Sequence, residues 1–249
     1  MKKIGWIFVC IFLATGTLAA QNNQGGNTQG NVLDHVISPN SVVFSRTFSE
    51  WDAEWQQWAY SIPVANHPLF DNGDCSTGQS GMVWFLGGKF CNNYQDCSYT
   101  GVQRTCSVPA GKYLYFPVAN GEDSAIEEST SESPGNMSRQ QISYLRQLED
   151  PWINSPAVEF ATIDGVPVPN LMRYSVQSTV FGFTIPADNY LNVLYSPANY
   201  PAGTYFPAVD QGQYLMIAPL PPGNHVIHFG ASWSGGFAFD VTYTLKVQR

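Results

Sequence analysis

The chain has 249 residues with 11 Lys and Arg against 19 Asp and Glu, a formal charge of −8, a charged fraction of 12% and an aromatic fraction of 14%. The acidic balance disfavours nucleic acid and anionic membrane surfaces as partners. A charged fraction about half the usual ~25% suits an extracellular β-rich domain.

The N-terminus carries Lys2 and Lys3, an apolar run from Ile4 to Leu13, and the small residues Thr17, Ala19 and Ala20. This predicts a secretory signal peptide over 1–19, cleaved after Ala19 or Ala20, and too short to span a bilayer. The expected location is therefore secreted, periplasmic or extracellular, with no membrane insertion after cleavage. Cys10 leaves with the peptide, and the remaining chain holds nine basic residues against 19 acidic. A Gln/Asn/Gly-rich tether over 20–40 leads into one domain over 41–249.

Ser41 to Phe44 reads as a short strand. Thr47 with Glu50 forms a capping box, and Phe48, Trp51, Trp55 and Trp58 share one helical face, which predicts a helix anchored in the core by three tryptophans. An exposed sugar-stacking platform is the rival reading. Met82 to Leu86 reads as a buried strand, followed by strands over 102–108 and 112–118 joined at Pro109-Ala110-Gly111, which makes them antiparallel neighbours. Glu122, Asp123, Glu127, Glu128 and Glu132 lie in what reads as a solvated loop, and Ser138 with Gln141 caps a second helix to about Leu148. Strands follow near 158–163, ending in an Asp164-Gly165 hairpin turn, then 172–176 and 180–185. Tyr190 to Gly212 reads as a long loop, and strands over 213–218 and 225–230 and the final strand close a meander. In that last strand Phe237, Phe239, Val241, Tyr243, Leu245 and Val247 alternate with Ala238, Asp240, Thr242, Thr244 and Lys246. Such alternation belongs to a long strand with one face on a core. The expected fold is all-β, mainly an antiparallel sandwich of jelly-roll or immunoglobulin-like type with two short helices; a closed barrel is the alternative.

After signal removal four cysteines remain, an even number that reads as two disulfides with three pairings open. The predicted pairing is nested: Cys91 with Cys97 stapling an inserted loop, and Cys75 with Cys106. The spacings do not suit zinc, and no metal site is expected. Asp71, Asn72 and Asp74 carry oxygens suited to Ca²⁺ without EF-hand spacing, and turn chemistry accounts for them better. His225 and His228, three residues apart on a strand, point to opposite faces and do not share a ligand.

No GxSxG, HExxH, P-loop or paired CxxC occurs. The candidate site is a cleft with His67, Asp71 and Glu122 as candidate catalytic groups, and Gln79, Trp84, Asn120 and Glu122 as ligand-binding groups. A disulfide beside Cys75 would fasten the His67 to Asp74 loop near the strand that precedes Asn120.

Several strings resemble a family of uncharacterised exported single-domain proteins: Trp51, Trp55 and Trp58, then His67-Pro68, Asp71, Cys75, Gln79 to Leu86, Arg104-Thr105-Cys106, Val108 to Gly111 and Pro117-Val118. Pro219 to Gly223, His225, Ile227, Phe229-Gly230 and Val241 to Tyr243 extend the resemblance towards the C-terminus. It implies one secreted domain and no particular activity or substrate. From the residues themselves, the leading expectation is a non-enzymatic domain that binds a glycan or other cell-surface polymer by aromatic stacking and amide hydrogen bonds. A polysaccharide hydrolase or lyase using Glu122 with Asp71 or His67 is the second. A structural surface or matrix component is the third.

Overall fold

The computed structural model describes residues 31–93, 97–128, 142–148, 156, 158–234 and 236–249. The predicted signal peptide, most of the tether, Glu132 and the Ser138 cap lie outside the described residues.

The strands are β1 (Val83–Phe85), β2 (Tyr99–Pro109), β3 (Tyr113–Ser124), β4 (Val158–Ile163), β5 (Val166–Pro167), β6 (Ser175–Gln177), β7 (Phe181–Ile185), β8 (Gly203–Ile217), β9 (Gly223–Ser232) and β10 (Ala238–Gln248). The helices are α1 (Phe48–Ser61), α2 (142–148) and α3 (Tyr190–Leu194). One sheet runs β1-β3-β8-β6, with β7 also on β8; the other runs β2-β10-β9-β4-β5. The β1/β3 and β2/β10 pairs are parallel and the others antiparallel. The expected β-sandwich is present, neither sheet closes into a barrel, and the described residues hold three short helices where two were expected.

Between the sheets, Leu114, Phe116 and Val118 of β3 face Ile227, Phe229, Val241, Tyr243 and Leu245 of β9 and β10. The alternation of the last strand does its expected work: Val241, Tyr243 and Leu245 are buried, with Asp240, Thr242 and Thr244 between them less so. On its opposite face the first sheet is covered by α1, whose Phe48, Trp51, Trp55 and Trp58 pack on Val83, Tyr115, Tyr214 and Met216. The Thr47/Glu50 capping box is formed as predicted. The middle sheet is thus buried on both faces, and β8 is buried continuously from Phe206's successor, Pro207, through Ile217. A strand between two apolar layers has no polar face, so alternation disappears from its sequence.

Several expectations are corrected. Tyr190 to Gly212 is not a loop: α3 occupies its start, and β8 begins at Gly203. Pro109-Ala110-Gly111 does not make β2 and β3 antiparallel neighbours. It carries the chain from one sheet to the other, β2 pairing β10 and β3 pairing β8. The C-terminal meander reduces to the β9/β10 hairpin for the same reason. Residues 172–174 form a 3-10 turn and not a strand, and Val43 makes only an isolated bridge to Arg46. Residues 31–40, expected in the tether, belong to the domain: Val32, Leu33 and Val36 pack on the core and the Ile37 amide donates to the Met216 carbonyl at 2.9 Å. The Asp164-Gly165 turn does join β4 to β5, and both disulfides pair as predicted.

Candidate functional site

The structure divides the predicted cleft into two groups with separate partners. In the first, Asp71 receives Arg104 Nε at 2.7 Å and lies 3.4 Å from Lys89 Nζ. Arg104 comes from β2 with a buried guanidinium that also donates to the Gly87 and Gly88 carbonyls and to the Tyr243 hydroxyl. A buried guanidinium needs these acceptors, so Asp71 acts as its counter-ion. The Asp71 and Asp74 side chains do not combine into a cation site: Asp74 turns back to accept from the Ser76 amide at 2.8 Å, as turn chemistry predicts. Among the described residues no three His, Cys, Asp or Glu groups cluster to hold a metal.

His67 is fully buried, its Nδ1 accepting from the Leu69 amide at 3.0 Å. Its Nε2 lies 2.8 Å from the Ala59 carbonyl and must therefore carry the proton. Burial first, and then the Arg104 charge, push its pKa down to about 4. With both ring nitrogens engaged and no exposure, His67 caps the end of α1 and does not serve as a base. Gln79 closes the β1 approach by donating to the Cys75 and Phe85 carbonyls and accepting from the Phe85 amide. Trp84 lies in the core between the sheets.

The second group holds Asn120 and Glu122, two residues apart on β3 and so on one face of it. Asn120 Nδ2 donates to Asp210 Oδ2 at 2.8 Å, and Glu122 sits opposite Asp210 in the β3/β8 register. The Glu122 carboxyl accepts from the Tyr60 hydroxyl and is hydrogen-bonded to the Glu127 carboxyl. Two carboxyl groups so joined share a proton. Glu127 also accepts from Ser124 Oγ and from Tyr195, which makes it the acceptor and Glu122 the bearer of the proton. Burial, then Glu127, raises Glu122 well above the ordinary carboxylate range; burial, then Glu127 and Glu128, pushes Asp123 up to about 7. Tyr60 stacks on Phe183 at 4.4 Å and lies 6.0 Å from Tyr190, which stacks on Phe90 at 4.0 Å. Tyr195 and Tyr200, 5.9 Å apart, complete the wall. Glu122, Asp123, Glu127, Tyr190, Tyr195 and Tyr200 are all partly exposed, so the cluster opens to solvent.

Sequence reasoning placed Glu122 and Asn120 here and missed Tyr60, Glu127, Tyr195 and Asp210. Tyr60 follows Asp52 and Gln56 at four-residue intervals, a polar stripe beside the tryptophan row, and that spacing was the available signal. The two histidines of β9 are separate, as expected: His225 Nδ1 lies 2.8 Å from Asp164 Oδ2, and His228 Nε2 lies 3.0 Å from Asp240 Oδ1. Comparison with protein-family models, curated proteins and solved structures finds no match to this chain. The site is therefore read from its own chemistry.

Proposed function

We propose that this chain is an exported β-sandwich domain that binds a glycan or other neutral cell-surface polymer through the tyrosine and carboxyl cluster around Glu122. The observation that carries the reading is the meeting of Tyr60, Tyr190, Tyr195 and Tyr200 with a carboxyl pair that shares a proton. Tyr190, Tyr195 and Tyr200, each partly exposed with Tyr60 buried behind them, offer apolar ring surface beside weakly charged donors and acceptors, the complement of a sugar ring with its hydroxyls. The tryptophans of α1 take no part, because all three are core residues. Two disulfides support export, and no helix among the described residues is long and apolar enough to cross a membrane. The resemblance to exported single-domain proteins belongs to the same proposal.

A polysaccharide hydrolase is the second reading, favoured by the proton that Glu122 retains, since a general acid must hold one near neutral pH. Its partner would be Glu127 and not Asp71 or His67. Hydrogen-bonded carboxyls are closer than the roughly 5–9.5 Å that glycosidases keep between acid and nucleophile or base, so binding is the better-supported function. Incubation of the purified protein with a glycan array, followed by analysis of released sugars, tests both. Retention without release supports binding, release makes the chain a hydrolase, and neither retention nor release would defeat the glycan reading.

A further inference from the structure

The polar side of α1 presents a second carboxyl pair, which adjoins the Glu122 cluster through Asp210 and brings Asp52 to it from the helix. Asp52 of α1 and Asp210 of β8 are both fully buried, and their carboxyls are hydrogen-bonded to one another. Asp210 already accepts at 2.8 Å from Tyr214 Oη and from Asn120 Nδ2, and also from Gln56 Nε2, one turn beyond Asp52 on the helix. Its amide donates to Ser178 Oγ at 2.8 Å, which fixes the backbone of the acceptor as well. With three neutral donors on it, Asp210 is the acceptor and Asp52 the donor in the bond between them, and the proton that titrates belongs to the pair.

We propose that Asp52 and Asp210 form a proton-dependent clasp that fastens α1 to the middle sheet and loosens when the shared proton is lost. Helix and strand contribute one carboxyl each, so deprotonation places two anions face to face in a buried joint, where like charges cannot both be sustained. The groups facing the pair are Tyr115 and Asp123 from β3, Tyr214 from β8 and Gln56 from α1. Glu122 lies across from Asp210 in register, and Arg146 of α2 reaches the same corner by donating Nη2 to the Ser178 carbonyl at 2.7 Å. Burial holds Asp210 up to about 6, against the value near 4 of a free Asp. For a carboxyl raised in this way the contribution to stability is complete below about pH 4 and is lost as the pH climbs to about 6. The clasp is a device for acidic surroundings.

The test is urea unfolding of the purified protein at pH 4, 5 and 6, followed by tryptophan emission; Trp55 lies 6.3 Å from the Tyr214 ring and reports on the joint. The comparison is with Asp52→Asn, whose amide keeps the hydrogen bond to Asp210 without a titrating proton. One linked proton changes the folding constant by up to about tenfold per pH unit. Between pH 4 and 6 the wild type is therefore expected to lose up to about 100-fold more in folding constant than Asp52→Asn. Effects from His67 and the other acids are common to both proteins and cancel. Parallel curves would overturn the clasp. Should Asp52→Asn fail to fold, carbon-13 carboxyl titration of the wild type decides: a pair that keeps one proton up to about pH 6 supports the proposal, and both carboxyls ionised by about pH 4.5 overturn it.

Discussion

The two sides of α1 meet the same sheet by opposite means. On one side Trp51, Trp55 and Trp58 fill the space above Tyr115, Tyr214 and Met216 and satisfy their indole N–H groups on the Val43, Leu86 and Thr77 carbonyls. On the other, Asp52, Gln56 and Tyr60 carry polar groups into burial and meet the carboxyls of Asp210 and Glu122. Apolar contact is non-directional and carries no titrating proton. A hydrogen-bonded carboxyl pair is directional and depends on its proton. The first side therefore supplies most of the helix's adhesion, and the second makes that adhesion conditional and leads to the solvent-facing tyrosine cluster.

The comparison breaks most readily at Trp55, which is 2% exposed and central in the apolar row. Trp55→Ala is expected to cost about 3–5 kcal/mol, because the helix and the sheet beneath it cannot collapse into so large a void. Denaturant unfolding measures it, and an unchanged midpoint would mean that the apolar side is not the anchor. The Cys75–Cys106 bridge backs that side covalently, holding the loop whose Thr77 carbonyl receives Trp58. Spanning 31 residues, it should contribute about 4 kcal/mol through chain entropy, against about 2 for Cys91–Cys97, which spans 6. Paired Cys→Ala variants rank the two by melting temperature.

His67 sharpens the contrast, since it titrates in the opposite sense to the carboxyl pairs. Its pKa is lowered from 6.5 to about 4, so its stabilising effect is complete above pH 6.5 and is lost as the pH falls towards 4. The loss amounts to at most about 3 kcal/mol. His67→Asn should remove this acid sensitivity, and difference curves of stability against pH between wild type and variant measure it. A variant that kept the full acid sensitivity of the wild type would deny His67 the buried neutral state.

The apolar side of α1 was legible in the sequence, and the polar side was not. Tryptophans at i, i+4 and i+7 after a Thr47/Glu50 box leave little choice of conformation. Nothing in the sequence marks Asp52 and Gln56 as buried, because charged and amide side chains are rarely fully buried. What reverses the expectation is Asp210, 158 positions from Asp52 and hidden in a strand that did not look like one. The two failures have one origin: β8 is covered on both faces, so period two is erased, and Asp210 then looks like a loop residue. The corner at Pro109 to Gly111 failed for another reason, since the same turn chemistry serves a hairpin and a passage between sheets. The final strand, only half-buried along one row, kept its alternation and was read correctly.

The smallest expected change in stability is the most informative about function. Glu122→Gln replaces the proton-bearing carboxyl with an amide that can still donate to Glu127 and still accept from Tyr60, so the hydrogen bonds of the joint persist. Stability near pH 5 should therefore stay within about 1 kcal/mol of wild type. What the amide lacks is a proton that can be released, and with it the change in charge at the tyrosine wall. If the cluster is the glycan site, Glu122→Gln should shift affinity and flatten its dependence on pH, while Glu128→Gln leaves both unaltered. Calorimetric titration with a ligand retained on the array checks this. Equal pH dependence in wild type and Glu122→Gln would place the binding surface elsewhere, and the carboxyl pair beside Tyr60 would then be a second clasp, holding β3 to the end of α1.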